Sequence, residues 1–449
     1  MQSSIFREYD IRGIADEEFN EQDVEQIGRG VGTYLLRSGS ANAVVGRDCR
    51  LTSDRYVDAL TRGLLATGCD VIDIGVCPTP VGYFAIHHLN AGGGVMVTAS
   101  HNPPEYNGFK LSRGKQSIHG KEILAIRDLI EAKDFLTGAG TRSSADVIPD
   151  YIRQVTGDIH LSRPLRVGVD AGNGTAGVIA VPVLEALGCE VHPLYCDMDG
   201  RFPHHEADPT VRANMQDLIE LVKSKQLDAG IGFDGDGDRI GVVDETGEII
   251  YGDLLMLLFS REILSRKPGA TFISEVKCSQ VLYDDIEKNG GRAIMWKTGH
   301  SVIKDKMRIE QAELAGEMSG HMFFSDRYFG FDDATYAACR LLEILSAADT
   351  PLSGLLTDVP NTFTTPEIRV ESPDAIKFDV VEKAVAYFKE THDVIDIDGA
   401  RILFEQGWGL VRASNTQPAL VLRFEASTPE LLEKYRRLVE TALEEIQKN

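Results

Sequence analysis

The sequence predicts an α/β protein: three related α/β domains with mixed sheets, followed by a smaller α+β domain. Three observations carry this prediction. The chain has 449 residues, more than one hydrophobic core usually organises at roughly 150 residues per domain. A pattern of strand, helix, glycine-opened strand and polar loop recurs three times at a spacing of about 100 residues. The last stretch breaks this pattern and reads as successive strands closed by an amphipathic helix.

Each repeat opens with a β-branched strand that runs into a polar loop. The three openings are AVVGRDCRLTS from Ala43, LRVGVDAGNGTAG from Leu165 and ATFISEVKCSQ from Ala270. A helical stretch follows, then a second strand behind a glycine: GCDVIDIGVCPTP from Gly68, GCEVHPLYCDMDG from Gly188 and GGRAIMWKTGH from Gly290. A third strand then enters a loop rich in functional groups, near Pro103, Arg239 and His321. Strands alternating with helices imply mixed or parallel sheets covered on both faces, with ligand groups at the carboxyl ends of strands. Three loops in matching places therefore suit one cleft.

After TTP at 364–366 come the strand candidates EIRVES, ARILFE, GWGLVRAS and LVLRFEAS, and a helix from Pro429. Small polar or breaker-rich stretches set the expected domains at 1–145, 146–250, 251–361 and 362–449. Composition is that of a folded globular chain, with 43% apolar and 26% charged residues. The net charge of −23 repels nucleic acid and anionic membrane surfaces. No apolar run approaches the roughly 18 residues of a membrane span, and the charged start MQSSIFREYDIRG is unlike a signal peptide. The expectation is a cytoplasmic protein with no nucleic-acid or membrane partner, a monomer or weak homo-oligomer, whose seven cysteines stay reduced.

Four loops carry chemistry. TASHNPPEYNGFK at 98–110 puts Ser100 after a strand, with His101 beside it and two prolines fixing the turn, which predicts an exposed and rigidly aimed hydroxyl. It lacks the GxSxG pattern of a hydrolase elbow. FDGDGDRIG at 233–241 places Asp234, Asp236 and Asp238 within five residues, a crowding of carboxylates that calls for a cation. An EF-hand is the rival reading, since Glu245 falls at its twelfth position, but Arg239 replaces its glycine and the flanks are strand-like. A small hard cation with open positions, Mg²⁺, suits the loop better than Ca²⁺. GEMSGH at 316–321 offers Glu317 and Ser319 between glycines, and RASNTQP at 412–418 gathers Arg412, Ser414, Asn415 and Thr416, a set that matches a phosphate dianion.

These motifs, in this order, resemble the α-D-phosphohexomutases, and their variants look like the phosphomannomutase/phosphoglucomutase branch. The resemblance runs from EYDIRG near residue 8 to RASNTQP. It implies four domains around a central cleft, with Ser100 as a phosphoserine and with Asp234, Asp236 and Asp238 binding Mg²⁺ together with the serine oxygen. It further implies that Glu317 and Ser319 hold sugar hydroxyls and that Arg412, Ser414, Asn415 and Thr416 clamp the phosphate not in transfer. Lys110, Arg239, Tyr9, Arg12, Lys277, His300 and His321 match further cleft positions of the family. The implied activity interconverts hexose 1-phosphate and hexose 6-phosphate of mannose or glucose, with hexose 1,6-bisphosphate as activator and sugar phosphates as the small-molecule partners.

Phosphoglucosamine mutases are the alternative within the resemblance, but they typically carry Gly and Glu where Asn415 and Gln417 stand. A phosphoserine-dependent phosphatase and a non-catalytic Ca²⁺ module are the alternatives outside it. Phosphoryl transfer spreads charge over oxygens, so Lys110 and Arg239 are expected as catalytic cations beside the metal. The accepting hydroxyl must lose a proton, for which Lys110, with a lowered pKa, and then His101 are the expected bases.

Overall fold

The computed structural model describes residues 1–415 and 417–448. The threefold repeat is visible in the strand pairing. The opening strands Asn42–Arg47, Arg166–Asp170 and Thr271–Glu275 each pair in parallel with a second strand, at Asp70–Val76, Glu190–Leu194 and Arg292–Trp296. On its other side each pairs in parallel with a third, at Gly93–Val97, Ala229–Phe233 and Leu314–Gly316. A fourth strand then returns antiparallel to the third, at Tyr106–Arg113, Ile240–Asp244 and Met322–Phe324. The return strands make these sheets mixed, and each turns the functional loop into a short connection between adjacent strands.

The repeated glycine has a backbone reason. Gly68, Gly188 and Gly290 have φ of 96°, 90° and 79°, the left-handed conformation that ends a helix and redirects the chain into the second strand. Because every third strand enters its loop from the carboxyl end, the three units present their loops alike.

The units also share a core. One continuous apolar cluster includes Val44 and Met96 of the first sheet's region, Val167 and Ile231 of the second, and Phe272 and Leu342 of the third. The last sheet is antiparallel and separate: Gly407–Ala413 pairs with Ala400–Phe404 and Ala419–Ala426, and Ile368–Glu371 adds to the latter. Helices Lys377–Lys389 and Pro429–Lys448 pack on it around Val380, Phe388, Leu422 and Val439. Among the described residues, no helix is long and apolar enough to cross a membrane.

Candidate active site

Ser100 follows the strand Gly93–Val97 in a left-handed backbone, φ 52°, an unfavourable conformation for a residue with a Cβ that must be held by its surroundings. The holder is Arg50, a buried guanidinium that sequence reading passed over. It donates to the carbonyls of Ser100 at 2.8 Å, Asn102 at 2.5 Å, Pro103 at 2.6 Å and Tyr106 at 3.0 Å. Ser100 is 2% exposed, so the expectation of an exposed hydroxyl is corrected. The aspartate loop lies over it, close enough that a Cβ on Gly235 would stand 2.5 Å from the Ser100 carbonyl oxygen.

Through that contact Ser100 Oγ donates to Asp234 Oδ2 at 2.6 Å, with His101 Nδ1 at 3.2 Å. The carboxylates of Asp234, Asp236 and Asp238 converge, each offering an oxygen within 4.8 Å of the others, and all three are fully buried. The flanking segments are the antiparallel strands Ala229–Phe233 and Ile240–Asp244, not helices. Glu245 turns away to accept from the Ser353 backbone N–H at 3.2 Å. The loop is therefore not an EF-hand.

Several observations test whether a cation fits here. Asp236 Oδ1 is buried with no hydrogen-bond partner among the described residues. Burial, with Asp238 and Asp236 alongside, pushes the Asp234 carboxyl well above the usual carboxylate range. A buried oxygen without a partner among three converging carboxylates suits a divalent cation bound by oxygen ligands.

Lys110 reaches this cluster from the first unit. Its Nζ donates to Asp236 Oδ2 at 2.7 Å and makes a shorter bond to Asp238 Oδ2. Burial works to discharge the ammonium, but the Asp236 and Asp238 carboxylates outweigh it and hold its pKa well above normal. In this arrangement Lys110 is a buried cation paired with two of the converging carboxylates. His101 is the opposite case, since burial and the neighbouring Arg239 and Arg12 hold it well below the ordinary imidazole value. Thr79 is a further partner that no motif announced: its hydroxyl donates to Asp236 Oδ2 at 2.6 Å.

The third loop is zipped onto the second. The Ile240 N–H donates to Gly320 O at 3.1 Å, and Arg239 bridges His321. Gly320, at φ 94°, leaves no room for a side chain, because a Cβ would meet Ile240 O at 2.3 Å. His321 spans Glu317 Oε2 at 2.6 Å and Asp238 Oδ1 at 3.2 Å. Burial lowers its pKa, yet Asp238 and Glu317 raise it to about 9, so it carries a proton at neutral pH. Arg239 Nε lies 3.4 Å from His321 Nε2, and half-buried Ser319 sits on the same turn. His300 rests 5.6 Å from His321 by ring centroids, with Nδ1 3.6 Å from Asp332 Oδ2.

The remaining predicted residues form a second network around the C-terminal sheet. Tyr9 Oη donates to Thr298 O at 2.7 Å and accepts from Asn415 Nδ2 at 2.7 Å, joining the first and last domains. Arg412 Nε donates to Asp398 Oδ2 at 3.0 Å, and that oxygen also accepts from the Thr298 N–H at 3.0 Å. Ser414 Oγ accepts from the Gln417 N–H at 3.1 Å. Lys277 Nζ pairs with Glu367 at 2.7 Å, and Arg12 donates to Asn102 Oδ1 at 2.6 Å, beside Ser100. Thr416 lies outside the described residues. Gly299 N–H, donating to Glu317 Oε1 at 2.8 Å, connects the two networks.

Four family models match consecutive parts of the chain. Three are described as phosphoglucomutase/phosphomannomutase alpha/beta/alpha domains I, II and III, over residues 3–137, 149–247 and 251–363. The fourth is the C-terminal domain of the same family, over 367–442. The chain is 47% identical over 446 residues to a phosphomannomutase/phosphoglucomutase of Pseudomonas aeruginosa, covering 99% of this chain and 96% of that one. It is 42% identical over 445 residues to a phosphoglucomutase of Neisseria meningitidis, covering 98% and 96%. A solved phosphoglucomutase/phosphomannomutase family protein of Burkholderia thailandensis superposes with a TM-score of 0.93 at 43% identity, covering 99% of this chain and 98% of that one.

Proposed function

The chain belongs to the phosphoglucomutase/phosphomannomutase family, and from that premise we propose that it interconverts the 1-phosphates and 6-phosphates of mannose and glucose through a phosphorylated Ser100. The observation that carries the residue-level reading is the placement of Ser100 Oγ, 2.6 Å from a buried aspartate cluster where the loops of three units meet.

In the first half of the cycle a sugar hydroxyl attacks the phosphorus of phosphorylated Ser100. The new O–P bond forms as the Ser100 Oγ–P bond breaks, and the hydroxyl proton passes to a nearby base. In the second half Ser100 Oγ attacks the other phosphoryl group of the resulting hexose 1,6-bisphosphate, and the proton returns to the sugar oxygen that is released. His101, 3.2 Å from Ser100 Oγ, is the base on this reading. Asp234, Asp236 and Asp238, with the phosphoserine oxygen, would hold Mg²⁺, which would supply positive charge where the transferring group carries negative charge. Lys110 and Arg239 add fixed cations at the same place.

Glu317 and Ser319 hold the sugar hydroxyls, and Arg412, Ser414, Asn415 and Thr416 clamp the phosphate that is not being transferred. Tyr9, Arg12, Lys277, His300 and His321 line the path between the two ends. Hexose 1,6-bisphosphate acts as activator because it charges Ser100. Turning the sugar over exchanges O3 with O4, both equatorial in either hexose, so the C2 hydroxyl that distinguishes mannose from glucose is left unread.

Labelled hexose 1,6-bisphosphate should mark one peptide, the one containing Ser100, and label elsewhere would overturn the carrier assignment. In a coupled assay, kcat/KM for mannose 1-phosphate and glucose 1-phosphate should lie within about 10²-fold. A ratio above about 10⁴ would mean that some group reads O2.

A further inference from the structure

Behind the reaction network lies a cavity of about 280 Å³ lined by none of the loops described above. It opens at the seam between the first and third units. The helix Thr79–His88 and the strand end at Ser112–Ser117 form one wall. The helix His300–Glu310 and the turn from Ser325 to Phe331 form the other. One water needs only about 10–15 Å³, so this space admits an organic molecule.

Its lining has two faces. Ile86, Met307, Phe329 and Phe331 make one of them apolar. The rings of Phe329 and Phe331 lie nearly parallel, 2° apart with centroids at 5.8 Å, and Phe329 is 39% exposed. The other face is cationic, with Lys115, Lys304 and Arg308 against one acid, Asp305. Asp305 is already engaged by His119 Nε2 at 3.0 Å and lies 3.9 Å from Arg308 Nη2. Lys115 makes no ion pair or side-chain hydrogen bond among the described residues. In a chain of net charge −23, such a grouping of cations over aromatic rings favours an anion.

Tyr83 supplies the second observation. Its ring lines the cavity beside Lys304, another lining residue, whose Nζ lies 4.2 Å from the ring centre.

We propose that this cavity binds a small organic anion with a planar apolar ring, the ring against Phe329 and Phe331 and the anionic group among Lys115, Lys304 and Arg308. Occupancy is felt in the cleft. Lys304 Nζ lies 4.2 Å from the centre of the Tyr83 ring and donates to Asp332 Oδ1 at 2.9 Å. The other oxygen of Asp332 faces His300 Nδ1 at 3.6 Å. An anion that draws Lys304 towards the cavity loosens its hold on Asp332 and with it the support behind His300.

Calorimetric titration of the full chain with naphthalene-1-sulfonate, with and without saturating glucose 1,6-bisphosphate, tests this. One saturable site should appear and should persist when the sugar bisphosphate is present. Binding should weaken about tenfold or more in Lys115→Glu and in Phe329→Ala. Lys115 is exposed and Phe329 partly so, which keeps both variants folded, and hexose phosphate turnover without the probe should be unchanged. Absence of saturable binding, displacement by the sugar bisphosphate, or an affinity in both variants equal to that of the unsubstituted chain would overturn the proposal. Because the readout is direct binding, it stands apart from whether the mutase reading holds.

Discussion

The three α/β units and the C-terminal domain are held together in different ways. The units share one uninterrupted apolar cluster, so the serine loop, the aspartate loop and the Glu317 turn stand on a single packed body. The C-terminal domain has its own core and meets that body through a small cluster in which Val276 packs against Trp408 and Leu410. Arg401 pins the junction: Nη1 donates to Val276 O at 2.6 Å and Cys278 O at 2.9 Å, and the guanidinium lies 4.0 Å from the Trp408 ring centre. The units that carry Ser100 and the aspartates thus share a core, and Arg412 belongs to a domain with a core of its own. On the proposed function, an intermediate that turns over while retained would use that division.

The largest expected effects lie in the rigid body. Ser100→Ala and Asp236→Asn should each lower kcat by at least about 10³-fold in the coupled assay, because no neighbouring group can replace a carrier or a buried cation ligand. Turnover by Asp236→Asn near the parent rate, or undiminished turnover in EDTA, would remove the aspartates from the chemistry.

A smaller and different effect is expected in the C-terminal domain. Arg412→Ala should raise KM about 10–100-fold while Ser100 still takes up label from hexose 1,6-bisphosphate. If kcat alone fell, Arg412 would belong with the bond-making groups, and the comparison would lose its functional side.

The joint itself can be broken. Trp408→Ala removes a fully buried ring, a change that typically costs about 3–5 kcal/mol, at a place where the lost contact joins two cores. Hydrogen exchange should rise across the strands Ala400–Phe404 and Gly407–Ala413 and remain slow in Ala229–Phe233. Equal loosening of both regions would show that the four domains unfold as one.

Much of the body was legible because its repeat is written locally. β-branched runs mark the three opening strands, and the glycines at 68, 188 and 290 mark their helix ends. The return strands were harder to separate from the loops: Met322–Phe324 is three residues long and shows no alternation, since both of its faces are buried. The site loops could be read because each gathers its chemistry within a few residues. The supports could not. Arg50 holds a loop some fifty positions away, Asp398 is fourteen residues from Arg412, and Asp332 lies behind His300, none with a local pattern. The same distance hides the setting of Lys110, whose ammonium pairs with two carboxylates more than 120 residues along the chain. Ser100 was expected at the surface because a turn after a strand usually is; here a second loop covers it.

The smallest effect concerns a seam inside the rigid body. Asp333 accepts from Tyr151 Oη at 2.9 Å, across the boundary between the second and third units, and from Tyr328 Oη at 2.8 Å. It also caps the helix Ala334–Ala347 by accepting from the Tyr336 N–H at 2.9 Å. Burial raises its pKa from the usual 3.8 to about 6, more than these three donors lower it. A carboxyl whose folded pKa is raised holds its proton more tightly in the folded state. The resulting stability is full below the unfolded value near 4 and is lost as pH rises through about 6. Between pH 5 and pH 8 the linkage amounts to about 1 kcal/mol. Amide exchange in the helix Ala334–Ala347 should therefore report weaker protection at pH 8 than at pH 5, after correction for intrinsic exchange rates. Asp333→Asn, which cannot ionise, should flatten that dependence. A slope unchanged by the substitution would place the pH sensitivity of the seam elsewhere, and the three-unit body would then be as indifferent to proton uptake at this boundary as its continuous core suggests.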